Sequence, residues 1–224
     1  GDAPVVPTSV ERSLALMEEV VARVHDAGAV PLCLGGDHSV TLAELRAAAQ
    51  RHGQLGLVLF DAHHDFWDEL YGERYGHGSW LRRACDEELI DARRSTLLGF
   101  RAGRGGGDLE RLREQGFTVY PFDDLMALGT GAVAGAVEQA AGKAFLSFDI
   151  DFVDPAFAPG TGCLEVGGPT SAQALALVRA CRGLDLAGAD VVEVLPDLDP
   201  SYITATLAAT VGYEILTLIA AGRP

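Results

Sequence analysis

The segment LFDAHHDFWDE, residues 59–69, places two histidines and four acids directly behind an apolar run. Side chains of an extended chain alternate with a period of two. Asp61, His63 and Asp65 would therefore share one side if the strand continues through Asp61. Carboxylate and imidazole groups brought together in this way are donors that divalent cations bind. The segment predicts part of a metal site.

Two further predicted strands end in similar chemistry. CLGGDHSV delivers Asp37 and His38, and FLSFDIDFVDP delivers Asp149 and Asp151, two residues apart. In open α/β sheets the carboxyl ends of the strands form the binding crevice, so the three clusters can converge. Any one of these short motifs is weak, because ordinary loop polarity explains it. Three of them, each at a predicted strand end, are a strong indication.

Convergence of these acids requires a positive counter-charge. Several carboxylates within a few ångströms cannot all remain ionised without one. Two cations that share bridging carboxylates would remove the repulsion, and donors rich in oxygen, with two imidazoles and no thiolate, favour Mn²⁺ over structural zinc. The predicted ligands of this dimetal site are His38, Asp61, His63, Asp65, Asp149 and Asp151.

The elements that must position these residues alternate apolar runs with helical stretches. This alternation is typical of an α/β protein whose parallel sheet is covered on both faces. One domain over residues 1–224 is the simpler expectation for this length. Ser9 and Ser171 are the predicted N-caps of the first and a later helix. The predicted strands are Val30–Leu34, Leu57–Phe60, Ser95–Gly99, Thr118–Pro121, Ala144–Phe148 and Ala189–Val194. The predicted helices are Ser9–Ala27, Thr41–Arg51, Gly78–Glu88, Leu109–Gln115, Gly131–Ala140, Ser171–Cys181 and Ser201–Ala220.

Composition excludes several classes of function. A net charge of −15 argues against a nucleic-acid partner, and it suits either a small cationic substrate or simply a solvated acidic surface. No apolar run is expected to reach the roughly 18 residues that span a bilayer, and the start of the chain is not built like a signal peptide. The four cysteines form no CxxC pair. A reduced, cytoplasmic protein is expected.

A family resemblance rests on these same segments. GGDHSV (35–40), DAHHD (61–65) and SFDIDFVDPAFAPGTG (147–162) resemble the three signature segments of the ureohydrolase family, which comprises arginases, agmatinases and their relatives. The similarity continues through GHGS, GGPTS and DVVEVLPDLDPSYITATLAA, and so covers nearly the whole chain. The last of these segments, with DPAFAPGTG, looks closer to bacterial agmatinases than to arginases. The family carries an upstream portion with one or two strands and an entrance loop, so the resemblance implies a chain that is incomplete at its N-terminus.

The resemblance implies a three-layer α/β/α sandwich with two Mn²⁺ ions per subunit, in a homotrimer or homohexamer. The implied reaction hydrolyses a guanidino group to urea and an amine. Agmatine, which would give putrescine, is the expected substrate. The alternatives are guanidinobutyrate or another guanidino acid, and a metal-binding but inactive subunit. One ion would be held by His38, Asp61, Asp65 and Asp149, the other by Asp61, His63, Asp149 and Asp151, with Asp61 and Asp149 bridging.

Three residues receive catalytic roles. A carboxylate is needed to fix a planar guanidinium through paired N–H bonds. Glu193, at the end of GADVVEV, is the candidate, and the alternative is an ordinary acid at a strand end. His77 in GHGSW lies where the family places its proton-carrying histidine, and the alternative is a solvated loop residue. Asp65 could also pass a proton while serving as a ligand.

Departures from the family pattern gather near the expected substrate cavity. Cys163 replaces a threonine that lies beside the guanidinium in the family, so it is a predicted substrate contact, although a thiol is a weaker hydrogen-bonding group than a hydroxyl. His64 is expected to support the site or to line its mouth. These changes spare the predicted ligands but put agmatine in doubt, and a guanidino acid or a bulkier guanidine remains open. The other altered positions are Leu164, Leu195, Trp80 and Leu81.

Two remaining acids are predicted to support the structure. Asp37 is expected to cap a helix or to support a ligand rather than to bind metal, and Asp154 is expected to brace the turn before Pro155.

A deacetylase that holds one metal on the same scaffold is a rival class. The second pair of acids, together with His38, argues for two ions instead.

Overall fold

Six parallel strands form the sheet that the apolar runs predict. The computed structural model describes residues 1–103, 107–199 and 201–222, and the bounds below apply to those residues. The strands are β1 (Leu32–Leu34), β2 (Leu55–Phe60), β3 (Ile90–Leu98), β4 (Thr118–Tyr120), β5 (Lys143–Asp149) and β6 (Asp185–Val192). Their order across the sheet is β1-β6-β5-β2-β3-β4, and each neighbouring pair is parallel.

Helices cover both faces of this sheet. Within β2, Leu57 and Leu59 pack into a core on one face, whereas Val58 and Phe60 pack into a core on the other. Burial of alternate residues on opposite faces is the mark of a central sheet between two helical layers. The predicted three-layer α/β/α class is therefore confirmed. The helices are α1 (Val10–Asp26), α2 (Val40–His52), α3 (Trp80–Asp86), α4 (Asp108–Gln115), α5 (Phe122–Leu128), α6 (Thr130–Gln139), α7 (Ser171–Arg179) and α8 (Ile203–Ala221).

Differences from the predicted elements lie where the sequence pattern is weak. The helix α5 was not predicted, because it has seven residues of which one, Leu125, is buried, too few to set up a helical period. The strand β3 begins five residues before the predicted Ser95, in a stretch containing Asp91, Arg93 and Arg94 that is partly exposed. The strand β6 ends at Val192 rather than at Val194. Each of the six predicted strands and seven predicted helices is otherwise present.

Two predicted helix caps have different outcomes. The hydroxyl of Ser9 accepts a hydrogen bond from the N–H of Arg12, 3.3 Å away, so its capping role is confirmed. The predicted cap at Ser171 is wrong. Thr170 is the N-cap of α7 and forms a reciprocal pair of hydrogen bonds with Gln173. Thr170 has the extended backbone that a cap requires, whereas Ser171 is already helical.

The Thr170→Ala variant tests this assignment. We expect it to lower the free energy of unfolding by about 1 kcal/mol, because the N–H of Gln173 loses its acceptor. Ser171→Ala is the matched control, and its effect should stay within roughly 0.5 kcal/mol. Urea denaturation of both variants measures the difference. A larger loss in Ser171→Ala than in Thr170→Ala would contradict the assignment.

The helix α8 corrects the expectation that no apolar run is long enough to span a bilayer. Its 19 residues have a mean hydropathy of 1.6, enough by length and composition to cross a membrane. Of its most apolar stretch, 44% is buried within the fold, where Leu207, Val211 and Ile215 join the core between β6 and α7. Packing against the sheet accounts for the buried part of this apolar composition.

Candidate metal centre

Four adjacent strands bring the candidate residues to one edge of the sheet. His38 lies between β1 and α2, Asp61 directly follows β2, Asp149 is the last residue of β5, and Glu193 directly follows β6. Because β1, β6, β5 and β2 are neighbours and parallel, their carboxyl ends lie side by side. The predicted convergence at this edge therefore has a structural cause in the strand order.

Three carboxylates surround one nitrogen of His38. The Nδ1 atom lies 3.2 Å from Oδ2 of Asp61, 3.1 Å from Oδ2 of Asp65 and 3.1 Å from Oδ2 of Asp149. All four side chains are buried. An imidazole nitrogen has one proton or one lone pair, so it cannot satisfy three carboxylates at once.

Two buried polar atoms without a hydrogen-bond partner indicate that this group of residues would hold a cation. Among the described residues, Nδ1 of His38 and Oδ2 of Asp61 are buried and have no hydrogen-bond partner. Buried polar atoms are almost always satisfied, and an unsatisfied pair of ligand atoms facing each other suits a cation between them. The residues present therefore fit a divalent metal ion.

A second group of ligand atoms adjoins the first. His63 Nδ1 lies 2.8 Å from Oδ2 of Asp151 and 3.7 Å from Oδ1 of Asp61. Ligand atoms of His38, Asp61 and Asp65 lie within 4.8 Å of one another, and so do those of Asp61, His63 and Asp151. Asp61 belongs to both groups. This sharing is the geometry expected of two ions joined by a bridging carboxylate.

The buried carboxylates at this edge of the sheet repel one another, and positive charge would stabilise them. Burial, followed by the charges of Asp151 and Asp61, raises the pKa of Asp149 well above its ordinary value. Burial and the charge of Asp61 likewise raise the pKa of Asp151 to about 6. Burial opposes the charged form of His63, but Asp151 and Asp61 outweigh it and raise its pKa to about 12. Protons are drawn into the cluster wherever cations do not neutralise it.

The backbone of the Asp61–Asp65 segment differs from the predicted strand. The strand β2 ends at Phe60, so simple alternation does not place these side chains. Asp65 has a φ of +46°, in the left-handed region that side-chain-bearing residues rarely adopt. The carbonyl of Asp65 accepts a hydrogen bond from the N–H of Leu81, 3.2 Å away. The structure brings Asp65 to His38 through a turn rather than through a strand.

A hydrogen-bonded chain behind His38 sets its tautomer. Nε2 of His38 lies 2.9 Å from the hydroxyl of Ser147, which donates to Asp190 over 2.7 Å. Asp190 also accepts from Thr41 over 2.7 Å. Because Ser147 gives its proton to Asp190, it accepts one from Nε2 of His38, so Nδ1 is the nitrogen that the neutral ring would offer to a cation. The sequence signal for these hydrogen bonds is an acid, Asp190, inside the buried strand GADVV.

Glu193 lies against the backbone of His38. Its Oε1 accepts the N–H of His38 over 2.7 Å, and its own φ is +63°. Burial raises the pKa of Glu193 to about 7. A carboxylate in such a place is costly without a cationic partner, so its position suits the predicted contact with a guanidinium.

His77 and Cys163 lie in two loops around this edge. The turn that carries His77 is joined to the metal-ligand segment, because the N–H of Trp67 donates to the carbonyl of Gly78 over 3.1 Å. Cys163 is exposed and free. Partial burial raises the pKa of its thiol, and the nearby charges of His63 and Glu193 also act on it. The catalytic role of His77 and the substrate contact of Cys163 stay predictions.

His64 is a buried residue of the loop that follows β2. Its Nδ1 accepts the N–H of Phe66 over 3.0 Å, and its Nε2 lies 3.6 Å from Asp108. Its ring meets those of Trp67 and Phe100 edge-on, with centroids 4.7 and 5.6 Å away. The burial of His64 excludes plain exposure of its ring, and its supporting role stays a prediction. Leu164 and Leu195, by contrast, are exposed.

Arg101 was missed by sequence reasoning. Its guanidinium donates to the backbone carbonyls of Asp151, Phe152 and Glu165 at distances of 2.8, 3.0 and 2.8 Å. It thereby ties the loop after β5 to a second loop near the site. Arg101 opens the glycine-rich stretch RAGRGGGDLE, of which residues 104–106 lie outside the described residues.

Asp37 and Asp154 have the supporting roles that were predicted. Asp37 accepts both the N–H and the hydroxyl of Ser39, the residue that precedes α2. Asp154 accepts the N–H of Ala156 over 2.9 Å, and its other oxygen accepts the N–H of Gly167 over 2.7 Å. Both side chains fix the loops that carry the candidate ligands.

Comparisons with known proteins agree with this geometry. The profile of the arginase family matches residues 1–217. A guanidinopropionase from Pseudomonas aeruginosa is 46% identical, with 98% of this chain and 70% of that protein covered. A guanidinobutyrase from the same species is 40% identical, with the same two coverages of 98% and 70%. The solved structure of proclavaminate amidinohydrolase from Streptomyces clavuligerus superposes with a TM-score of 0.95 at 38% identity, covering 100% of this chain and 75% of that chain.

Proposed function

This chain belongs to the arginase family of hydrolases, and we propose that it cleaves the guanidino group of a small guanidino compound to urea and an amine. The observation that carries the proposal is the shared position of Asp61 between two adjoining groups of ligand atoms. A site for two neighbouring cations, with the carboxylate of Glu193 beside it, has the parts that guanidine hydrolysis needs.

We assign two divalent cations to the site, with Mn²⁺ as the expected metal. The donor set contains carboxylate oxygens and imidazole nitrogens and no thiolate, which suits Mn²⁺. When bound, such a pair of ions supplies Lewis acidity that makes water a nucleophile near neutral pH. The residues that would hold the first ion are His38, Asp61, Asp65 and Asp149, and those that would hold the second are Asp61, His63, Asp149 and Asp151.

The remaining groups would bind the substrate and move its protons. The carboxylate of Glu193 would accept two N–H groups of the planar guanidinium and orient its carbon toward the metal ligands. Water adds to that carbon, and the bond from carbon to the substituted nitrogen then breaks. His77 would deliver a proton to the leaving amine, and Asp65 would accept the proton released by water. Urea and a protonated amine are the products.

A guanidino acid is the favoured substrate class. The two Pseudomonas relatives are named for guanidinopropionate and guanidinobutyrate, which are guanidino acids. The changed residues Cys163, Leu164 and Leu195 also weaken the expectation of agmatine, which stays the second candidate. We further propose a homotrimer or homohexamer, as the family resemblance suggests, and a cytoplasmic location, as the cysteine usage suggests.

A urea-release assay with added Mn²⁺ tests this function. We expect hydrolysis of 3-guanidinopropionate or 4-guanidinobutyrate at least tenfold faster than of agmatine or arginine, since a factor of ten needs only about 1.4 kcal/mol of differential binding. Preference for agmatine would overturn the substrate class alone. Two bound metals with every guanidine intact would make the chain an inactive subunit. One bound metal per chain would favour the deacetylase type.

A further inference from the structure

We propose that Trp80 is a positioning residue that fixes two of the candidate metal ligands, His38 and Asp65, in their positions relative to each other. The inference rests on the proposed metal-dependent function, and it gives a role to a residue that the sequence marks only as a departure from the family pattern. Trp80 would touch neither substrate nor metal. It would act through the two side chains that it contacts.

The contacts of Trp80 reach both ligands at once. Its ring stacks on the imidazole of His38, with centroids 4.6 Å apart and planes 28° from parallel. Its indole N–H donates to Oδ2 of Asp65 over 2.8 Å. The whole side chain is buried, with 0% of its surface exposed. A buried indole N–H needs an acceptor, and here that acceptor is a candidate ligand.

The indole of Trp80 donates its hydrogen bond to the carboxylate oxygen of Asp65 that faces His38. Oδ2 of Asp65 is the same atom that lies 3.1 Å from Nδ1 of His38. Trp80 therefore fixes the position of this oxygen while the stacked ring limits rotation of the imidazole opposite it. Both members of one ligand pair are restrained by a single side chain.

The backbone around Asp65 adds to this restraint. Asp65 has the strained φ of +46° noted above, and the N–H of Leu81 donates to its carbonyl over 3.2 Å. Trp80 and Leu81 are consecutive residues at the start of α3. The first turn of this helix thus holds Asp65 at both its side chain and its carbonyl, which stabilises a conformation that the residue rarely adopts alone.

Two single substitutions separate this role from simple packing. Trp80→Phe keeps an aromatic ring that can stack on His38 but removes the N–H donor to Asp65. Trp67→Phe is the matched control, because Trp67 is the other of the two tryptophans. It is 40% exposed, and its ring contacts His64 rather than a proposed ligand. Both variants are measured as the full chain.

The first readout is Mn²⁺ affinity, measured by equilibrium dialysis and independent of activity. We expect Trp80→Phe to weaken one of the two Mn²⁺ sites about tenfold, as removal of groups that orient metal ligands typically does. Trp67→Phe should stay within about twofold of wild type. A residue that only packs would lower thermal stability without changing Mn²⁺ affinity in the folded variant, and that result would overturn the inference.

The second readout is tryptophan fluorescence, which keeps the proposal testable if Trp80→Phe does not fold. In Trp67→Phe the emission comes from Trp80 alone. Mn²⁺ is paramagnetic, and binding beside the stacked ring should quench that emission strongly. Unchanged emission on saturation with Mn²⁺ would overturn the inference. If wild type binds Mn²⁺ but releases no urea from any guanidine, the proposed function fails while the role of Trp80 is still decided by affinity.

Discussion

Replacing Asp149 with asparagine is expected to lower urea release on the order of a thousandfold or more, because a bridging carboxylate is lost from the reaction centre. Asp149 Oδ2 lies 3.1 Å from Nδ1 of His38, and its Oδ1 accepts the N–H of Asp151 over 2.8 Å. The amide keeps the size and the backbone contact but removes the negative charge. The defect should therefore lie in metal binding rather than in folding.

Metal content and thermal unfolding distinguish these two causes. Wild type should gain thermal stability on addition of Mn²⁺, since a ligand that binds only the folded state stabilises it. Asp149→Asn should show little such gain, while its metal-free form should be about as stable as wild type, because the amide oxygen can still accept the N–H of Asp151. Asp124→Asn makes the same chemical change at an exposed site on α5 and should behave as wild type. Normal turnover and two bound metals in Asp149→Asn would refute its bridging role.

Replacing Glu193 with glutamine is expected to reduce kcat/KM roughly a hundredfold, the usual scale for losing one partner of a buried charge pair. Glutamine keeps an oxygen that can accept the N–H of His38, now bonded to Glu193 over 2.7 Å. The substitution therefore removes the charge while preserving the local structure. Metal content should stay at the wild-type value.

Steady-state kinetics and metal analysis of the same samples check this result. Glu138→Gln, an exposed acid-to-amide change on α6, provides the control and should leave kcat/KM unaltered. If Glu193→Gln lost its metals, Glu193 would be acting on the ligands rather than on the substrate. If its kcat/KM stayed at the wild-type level, the guanidinium contact would belong to another residue.

The order of the strands was not predicted from the sequence, whereas the strand ends that carry the candidate ligands were. Apolar runs are long enough to reveal buried parallel strands, and acids directly behind them are conspicuous because burial makes unpaired charge costly. His38, Asp61 and Asp149 were predicted in this way. The structure places the carboxylate oxygens of Asp61 and Asp149 3.2 and 3.1 Å from Nδ1 of His38.

The supporting residues could not be found by the same reasoning. Asp190 meets Ser147 from 43 positions away, and Arg101 meets Asp151 from 50 positions away. Such contacts follow from tertiary packing, and no local period marks them. The left-handed backbone of Asp65 could not be predicted for a similar reason. Contacts with Trp80 and Leu81 in α3 stabilise a conformation that aspartate rarely adopts.

The hydrogen bond between His38 and Glu193 has a thermodynamic consequence for the whole site. One residue offers its ring to the cation and its backbone to the acid proposed to bind the guanidine. Occupancy of either partner should therefore alter the affinity for the other, and linkage requires the two effects to be equal. Where this coupling is favourable, a bound guanidine would raise the affinity for the ions, and a higher concentration of chelator would be needed to remove them.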